Sequence, residues 1–399
     1  MKNGEVEFIN CKNVLKSVEE LDSPSRATIA KYLGLSRTTS SQNINRLIEF
    51  KLVKECENTL VGRGRPGRPL VLDESKWCAL GACFENNSLF FTVVDLYGNI
   101  IDKNQVEISP MTFDKFYKEL VENIKFFLDK YSENILPAIG VGSPGVIDPK
   151  DGSIVKAVDL GWFNIPLKKM LEEEFNLPIF INNRYRTMGL AEARQGLGKG
   201  YDNFIYLGVG NGFGTAIFLE GKLVLTTNIH TGGIGHIVVE PHGPFCRCGK
   251  RGCLFTVGSL SVLEEKTKLA LEKGHIKSLL DKIDTVNMEE IMNAANKGDE
   301  VAMDCVKKVA DPLCVVIGDL INIINPQRII IGGPMGTYGK FYCEYVNNKI
   351  SDYYNTTEIS IVQTQIDFFG GAVGAAYQVL DNKLELVLDK LKANDCKIT

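Results

Sequence analysis

Four side chains that bind metals well lie within a short stretch of the second half of the chain. His236 is followed by Cys246, Cys248 and Cys253. Three thiolates and one imidazole make a complete tetrahedral set for Zn²⁺, and the glycines beside the cysteines let a short loop fold around one ion. Since these four ligands leave no position for water, we expect the zinc to be structural rather than catalytic.

The other cysteines and histidines favour simpler roles. Unclustered cysteines on apolar stretches are typical of buried free thiols, and this interpretation suits Cys78, Cys83, Cys305, Cys314 and Cys343. His230 and His242 lie near the cysteine loop, and we expect them at the surface or behind the ligands rather than on the metal.

Length and composition indicate a soluble protein of two or three domains. The chain has 399 residues, of which 44% are hydrophobic and 24% charged. Its longest apolar runs are far shorter than the roughly 18 residues of a membrane helix, and its N-terminus lacks a signal-peptide core. We therefore expect a cytoplasmic protein without a membrane partner, in which the eleven cysteines are reduced.

The net charge of −4 hides a split between a basic head and an acidic body. Residues 1–72 contain 12 basic and 8 acidic residues, which gives +4, whereas the remainder contains 33 and 41, which gives −8. Such an asymmetry indicates a nucleic-acid partner for the head.

The head has the pattern of a helix-turn-helix. A first helix near residues 10–21 stops at Ser23-Pro24-Ser25, a second ends at Gly34, and a third begins after Ser36 and runs to Phe50. Polar and basic side chains on these helices can reach base edges and phosphates. The predicted DNA contacts of the helices are Arg26, Arg37, Thr38, Thr39, Ser41, Gln42, Asn45 and Arg46.

A loop rich in glycine, arginine and proline follows the third helix. Two short strands, 52–55 and 70–72, flank it as the strands of a wing would. Its arginines, Arg63, Arg65 and Arg68, suit the narrow minor groove of A·T-rich DNA, and residues 63–66 match the core of an AT-hook. The alternatives are a helix pair that only packs and a loop that is only a solvated linker.

The body alternates strands and helices, which predicts two α/β lobes with a cleft between them. The predicted strands are 80–84, 90–95, 100–108, 138–142, 179–181, 204–207 and 215–219, and the predicted helices are 113–131, 185–195, about 300–324 and 371–390. We divide the chain into a winged helix-turn-helix domain, a first lobe and a second lobe that holds the zinc loop. The boundaries are 1–72, 73–190 with the C-terminal helix 371–399, and 191–370.

Together these motifs resemble those of the ROK family of repressors and sugar kinases. The resemblance rests on the winged head, residues 143–148 (SPGVID), the glycine hairpin 210–214 (GNGFG), Gly235-His236 and the cysteine loop. It covers essentially the whole chain and is strongest for the xylose and N-acetylglucosamine repressor branch. It implies an actin-like, hexokinase-like body, a structural zinc, and a homodimer or homotetramer that binds a palindromic operator under control of a sugar.

Two departures from the kinase pattern argue against phosphoryl transfer. Where the kinases place the aspartate that approaches ATP phosphates and metal, this chain has Cys83, and Glu85 adds a carboxylate that would repel phosphate. Where they place the catalytic aspartate of an Asn-Asp pair, this chain has Asn183, whose amide cannot act as a base. We therefore expect no catalytic residue and no enzyme activity.

The sugar contacts implied by the resemblance are incomplete. Asn164, Asn182, Asn183 and His236 stand at matching places, whereas Gly233 and Phe255 replace two glutamates that would hold sugar hydroxyls. Phe255 could stack on a sugar ring or fill the hole. Either the pocket accepts a different effector, one that is less polar or smaller, or it has lost its ligand, and we favour the different effector.

The sequence thus favours a DNA-binding regulator, most simply a repressor, of carbohydrate-related genes. In the favoured version an effector in the body changes the affinity for the operator. In the alternative the body is only a dimerisation scaffold and binding is ligand-independent. A residual sugar kinase is the third and least favoured version.

Overall fold

The head is built from three helices and a two-stranded antiparallel sheet. In the computed structural model these elements are α1 (Asn3–Glu20), α2 (Arg26–Tyr32), α3 (Arg37–Glu49), β1 (Val53–Glu55) and β2 (Leu70–Leu72). The hydroxyls of Ser25 and Ser36 accept hydrogen bonds from the backbone N–H groups of Thr28 and Thr39, which starts α2 and α3 where the sequence predicts. The first helix begins earlier than predicted, at Asn3.

The structure describes residues 3–56, 68–85, 87–225, 233–274, 276–283, 286–354 and 359–395. The predicted wing residues Arg63 and Arg65, and also His230, lie outside these ranges. In the described part of the chain, each helix is too short or too polar to cross a membrane.

The first body sheet has the strand order β10-β6-β3-β4-β5. Its region contains β3 (Cys78–Glu85), β4 (Ser88–Val94), β5 (Ile100–Glu107), α4 (Phe113–Lys130), β6 (Ile135–Ser143), β7 (Val146–Ile147), β8 (Ile154–Ala157), β9 (Trp162–Ile165), α5 (Leu167–Phe175), β10 (Ile179–Asn183) and α6 (Arg184–Gln195). The meander β3 to β5 is antiparallel, while β3, β6 and β10 are parallel. The small antiparallel sheet β7-β8-β9 follows β6.

The second body sheet has the order β13-β12-β11-β14-β15, in which β11, β14 and β15 are parallel and the other pairs are antiparallel. Its region contains β11 (Phe204–Val209), β12 (Phe213–Leu219), β13 (Lys222–Leu223), α7 (Leu254–Gly258), α8 (Leu260–Lys273), α9 (Met288–Asn296), α10 (Glu300–Ile324), β14 (Arg328–Gly332), α11 (Gly333–Tyr338), α12 (Lys340–Tyr354) and β15 (Ser360–Gln363). The helices bury a large apolar core against this sheet, which includes the thiols of Cys305, Cys314 and Cys343.

The chain ends in two helices, α13 (Gly370–Leu380) and α14 (Lys383–Asp395), so the prediction of one helix over 371–390 is wrong. At Asn382 the backbone N–H bonds to Val379 O, a tighter turn that stops α13 before α14 begins. Helix α13 packs so closely on the first sheet that a Cβ at Gly140 would lie 1.9 Å from Ala375 O. Glycine in β6 is therefore required by the approach of this helix.

Helix α14 connects the body to the head. Its buried side chains Leu384 and Val387 belong to the same hydrophobic cluster as Val14 and Val18 of α1. Trp77, at the junction, is 5% exposed and donates a 2.7 Å hydrogen bond from Nε1 to Phe50 O. The head and the first lobe therefore share one continuous core.

Candidate ligand cleft, metal centre and nucleic-acid interface

A cleft of about 1400 Å³ opens between the two body sheets. Strands β3, β6 and β10 are parallel neighbours, so their carboxyl ends meet at one edge, where Glu85, Pro144 and Asn183 line the cleft. Gly210 and Pro334 line it from the ends of β11 and β14. Ligands of α/β proteins bind at such edges, so this cleft is the candidate ligand site.

A buried charged pair lies on the wall of the cleft. Arg184 Nε is 3.4 Å from the Glu85 carboxylate, and both side chains are largely buried. Arg184 Nη2 also donates a 3.0 Å hydrogen bond to the hydroxyl of Tyr185. The expectation that the Glu85 carboxylate acts as an unpaired negative charge is therefore corrected, because Arg184 neutralises it.

Tyr185 explains two glycines of the hairpin that links β11 and β12. Gly208 and Gly214 are directly paired across the two strands. A Cβ at Gly208 would lie 2.1 Å from the Tyr185 ring, and one at Gly214 would lie 2.0 Å from it. The ring therefore occupies a groove that only glycine leaves open, and it ties α6 to the second sheet.

Asn183, in place of the kinase aspartate, has both ends of its amide engaged. Its Nδ2 donates to Gly145 O, and its Oδ1 accepts a 2.9 Å hydrogen bond from the Tyr185 N–H at the start of α6. The side chain thus caps a helix and fixes the loop after β6. An aspartate could make the cap but could not donate to Gly145.

Cys83, in place of the second kinase aspartate, is packed into the core. It is 2% exposed, and burial raises the pKa of its thiol to about 12. A Cβ at Gly371 would lie 2.6 Å from its sulfur. This position therefore holds a neutral, enclosed thiol.

The predicted metal ligands converge. The ligand atoms of His236, Cys246, Cys248 and Cys253 all lie within 4.8 Å of one another. Cys246 Sγ is 3.5 Å from His236 Nδ1, and Cys248 Sγ is 3.6 Å from Cys253 Sγ. Tetrahedral Zn²⁺ bonds of about 2.3 Å to sulfur and about 2.0–2.1 Å to nitrogen place ligand pairs about 3.5–3.8 Å apart. The donor set therefore fits one such ion.

The loop that carries the cysteines is tightly folded. Cys246 N–H bonds to Lys250 O at 2.8 Å, and Gly249 and Gly252 take positive φ angles of 91° and 62°. Burial lowers the pKa of His236, and Lys156 and Lys250 lower it further. A lower pKa favours the neutral imidazole, which is the form that binds metals.

Three of the five predicted effector residues line the cleft. These are Asn183, His236 and Phe255, and the last two rings have centroids 6.5 Å apart. Asn182 is not among the described lining residues, because successive side chains of β10 point to opposite faces. It lies beside Phe180 in a second, smaller cavity. Asn164 is also outside the described lining, exposed on β9 with a left-handed φ of 51°.

Five of the predicted DNA contacts on α3 are exposed. They are Arg37, Thr38, Gln42, Asn45 and Arg46, of which Thr38, Gln42 and Asn45 recur at helical spacing. Thr39 and Ser41 are half-buried, and the Thr39 hydroxyl is hydrogen-bonded to the Ser36 cap.

Three predicted arginine contacts have acidic partners within the head. Arg26 Nε lies 2.6 Å from the carboxylate of Glu55, and Arg68 Nη1 lies 3.5 Å from its other oxygen. Arg46 pairs with Glu7 at 2.5 Å and is still 45% exposed. The side chain of Arg26 is the least exposed of the three, and its Nη1 also donates a hydrogen bond to Ser41 O.

Several charged residues of the cleft were not predicted from the sequence. They are Lys156, Asp159, Arg184, Arg186, Arg247 and Lys250. The signal for Arg184 was its position directly after Asn183, at the start of a helix. The signals for Arg247 and Lys250 were their positions within the cysteine loop.

Comparisons with known proteins identify the family to which the chain is similar. The profile described as "ROK family" matches residues 86–382. The N-acetylglucosamine repressor of Escherichia coli O157:H7 is 28% identical over 379 residues, which cover 93% of this chain and 92% of that protein.

Two solved structures share the fold. A ROK family transcriptional regulator, described as a homologue of the E. coli MLC protein, superposes with a TM-score of 0.82 over 96% of this chain and 99% of its own, at 24% identity. A ROK family glucokinase from Streptomyces griseus, in complex with glucose and AMPPNP, superposes with a TM-score of 0.64 at 26% identity. That match covers 75% of this chain and 98% of the kinase. The kinase thus matches only part of the chain, whereas the transcriptional regulator superposes on nearly all of it. The chain belongs to the ROK family.

Proposed function

We propose that this protein is a sequence-specific DNA-binding regulator of carbohydrate-related genes, most simply a repressor, whose body senses a small effector. The observation that carries the proposal is the similarity to a repressor over 93% of the chain, head included. The head supplies a reader for DNA and the cleft supplies a place for an effector.

Helix α3 is the recognition helix of a winged helix-turn-helix in this proposal. Thr38, Gln42 and Asn45 face outward along it, with Arg37 at its first turn. Amide side chains can read adenine edges in the major groove, and arginine can read guanine or hold phosphate. The wing arginines would enter the adjacent minor groove, most favourably in A·T-rich DNA.

Such heads read DNA in pairs, so we propose a homodimer or homotetramer on a palindromic operator. Two half-sites about one helical turn apart, or a multiple of that, would match the two-fold symmetry of a dimer. The body is the part of the chain large enough to hold the copies together.

The body supports sensing better than catalysis. Asn183 cannot accept a proton, because an amide is not a base. Its side chain instead caps α6 and donates to Gly145 O. Cys83 places a buried thiol where a kinase needs an aspartate. We propose that the chain is not an enzyme and that Asn183, His236 and Phe255 contribute to effector binding.

The four-ligand cluster is proposed to hold a structural Zn²⁺. Its ligands come from the loop that forms one wall of the cleft, so the ion would fix His236 and the basic side chains beside it in place. When bound, zinc would supply this cross-link and no reactive water, because all four positions are filled by protein.

The test of DNA binding is selection of bound fragments from genomic DNA by the full-length protein, followed by a gel-shift titration. We expect one preferred operator, bound at least about 10³-fold more tightly than random DNA. Asn45→Ala should weaken operator binding by about 1–3 kcal/mol and leave random DNA binding nearly unchanged. Lys16→Ala, on the exposed side of α1, is the matched control and should change neither. Equal affinity for operator and random DNA would contradict the proposal.

The test of sensing repeats the titration with any small molecule that raises the melting temperature of the protein. A ligand that binds but leaves operator affinity unaltered would exclude the switch and favour the scaffold version. Phosphorylation of any sugar from labelled ATP would instead support a residual kinase.

A further inference from the structure

The side chain of Arg26 contacts two other elements of the head. Arg26 is the first residue of α2. Its Nε donates a 2.6 Å hydrogen bond to the carboxylate of Glu55, the last residue of β1, and its Nη1 donates a 3.4 Å hydrogen bond to Ser41 O in α3. A guanidinium carries its donors on separate nitrogens in a fixed plane, so it can hold two partners in one geometry. Arg26 therefore connects the sheet at the base of the predicted wing to the proposed recognition helix.

Backbone hydrogen bonds close the base of the wing onto the start of α2. The N–H of Leu70 bonds to Pro24 O at 2.9 Å, and the N–H of Cys56 bonds to Pro69 O at 2.8 Å. Ser25, the N-cap of α2, also forms an isolated antiparallel bridge with Pro69. The strands that carry the wing thus meet the start of α2, and the Arg26 side chain adds a charged contact to these backbone ones.

Two arginines share the Glu55 carboxylate, and they differ in how easily they can reach DNA. Arg26 is bound at 2.6 Å and its side chain is 31% exposed, whereas Arg68 Nη1 is 3.5 Å from the other oxygen and its side chain is 66% exposed. To reach a phosphate, Arg26 would have to give up a short charge-assisted hydrogen bond and its contact with Ser41 O. The geometry therefore favours Arg68, and not Arg26, as a DNA contact.

We propose that Arg26 is a positioning residue that sets the place of the wing relative to α3. It acts through Glu55 and Ser41 O and does not touch DNA, in contrast to its predicted role as a contact. A recognition helix in the major groove and a wing in the adjacent minor groove can bind together only when their spacing matches that of the duplex. A wing that is not held at this spacing has to be ordered on binding, which costs affinity for the operator. This inference rests on the proposed function of the head as a reader of DNA.

A phosphate contact and a positioning role predict different effects on specificity. A phosphate contact carries no sequence information, so its loss weakens operator and random DNA equally and lowers the slope of log affinity against log salt by about 1. A positioning residue matters only in the complex where α3 and the wing bind together, so its loss weakens operator binding alone. Glu55 separates the two roles further, because it is a partner of Arg26 in the second and a competitor of DNA in the first.

The experiment is a pair of gel-shift titrations of the full-length protein, against its selected operator and against random DNA, over a range of salt concentrations. In Arg26→Met, which removes the donors, we expect the ratio of operator to random affinity to fall about tenfold, the equivalent of one charge-assisted hydrogen bond. Glu55→Leu should lower the ratio by a similar factor, and the double variant should be no worse than either single one, because all three lose the same contact. The titrations are made well below the melting temperature of each variant.

Lys54→Met is the matched control. Lys54 precedes Glu55 in β1 and pairs with Glu74 at 2.6 Å, and successive side chains of a strand point to opposite faces. This change removes one cation and one ion pair from the same small sheet, so the affinity ratio should stay that of the parent protein. An equal fall in the ratio for Lys54→Met would mean that any loosening of the sheet lowers specificity, and would overturn the assignment to Arg26.

Amide hydrogen exchange of the protein without DNA tests the structural part of the inference. The amides of Cys56 and Leu70, which close the base of the wing, should exchange faster in Arg26→Met than in the parent protein, because the contact that holds this base is lost. They should exchange at the parent rate in Lys54→Met. Unchanged exchange in Arg26→Met would mean that the wing is held without this arginine, which overturns the inference.

The outcomes separate this inference from the proposed function. A parent protein that binds operator and random DNA alike contradicts the proposed function, and the inference falls with it. A parent protein that prefers its operator, with an unchanged ratio in Arg26→Met and Glu55→Leu, overturns the inference and leaves the DNA-binding regulator intact. A lower salt slope in Arg26→Met, with equal losses on both DNAs, assigns this arginine to a phosphate and also overturns the inference.

Discussion

Lys383 of the body donates a hydrogen bond to the carboxylate of Glu19 in the head, and the lysine side chain is only 7% exposed. Lys383 begins α14 two residues after Asp381, which pairs with Arg194 at the end of α6 at 2.6 Å. Helix α6 in turn begins in the cleft at Arg184. One helix and two ion pairs therefore link the candidate effector site to the first helix of the head.

Removing the carboxylate of Glu19 should loosen the head from the body. In Glu19→Gln, Lys383 stays buried but loses its charged partner, and we expect a loss of about 1–2 kcal/mol, below the value for a fully buried pair because Glu19 is 28% exposed. The measurement is the denaturation midpoint followed by the fluorescence of Trp77, which lies at the junction. The chain has two tryptophans, so a Trp162→Phe background leaves Trp77 as the single fluorescent reporter.

Glu20→Gln is the control for this change. Glu20 pairs with Lys16 on the exposed surface of the same helix at 3.2 Å, and such pairs contribute little. Its midpoint should match that of the parent protein within about 0.5 kcal/mol. If the two variants were equally stable, the Lys383–Glu19 contact would not hold the head.

Restoring the kinase aspartate should not restore kinase activity. Asn183→Asp replaces the amide that donates to Gly145 O with a carboxylate that faces the same carbonyl, so we expect a loss of about 1–3 kcal/mol in the free energy of unfolding. Phosphoryl transfer should stay absent, because Cys83 still occupies the second aspartate position. The measurements are chemical denaturation and labelled-ATP transfer to a sugar panel. Transfer by this single variant would mean that the cleft retains a working nucleotide site.

The sequence was sufficient to predict the parts of the molecule that are set by local patterns. Ser25 and Ser36 cap helices as predicted, and the four metal ligands converge because their spacing leaves the loop few other arrangements. These features depend on neighbours within about twenty residues. A family resemblance then supplied the two-lobed body.

The cleft chemistry was harder to predict, because its members come from distant segments. Glu85 and Arg184 are 99 positions apart and meet only through the parallel register of β3, β6 and β10. Asn182 was placed in the effector site from its motif, although strand alternation sends it to the other face of β10. The break between α13 and α14 was missed because apolar residues continue at helical spacing through it.

The metal proposal predicts one zinc per chain and its loss on removal of one thiolate. In Cys248→Ser a weak hydroxyl ligand replaces sulfur, so we expect zinc to dissociate and the loop 236–253 to lose order. The measurement is metal analysis of the purified protein together with hydrogen exchange of that loop. Cys56→Ser, a half-buried cysteine of the head outside the ligand cluster, should retain its zinc. A parent protein without zinc would contradict the assignment.

The minor-groove role of the wing predicts a dependence on the DNA sequence beside the operator. Arg65→Ala should weaken binding to an operator with A·T-rich flanks by about 1–3 kcal/mol, because a narrow minor groove attracts an inserted guanidinium more strongly. The loss should be smaller when the flanks are G·C-rich, and a gel-shift titration with both operators measures the difference. Lys51→Ala, at the exposed end of α3, is the control and should affect both operators alike. Equal losses for Arg65→Ala on both would mean that this arginine contacts phosphates only, since a phosphate contact carries no information about the base pairs beneath it.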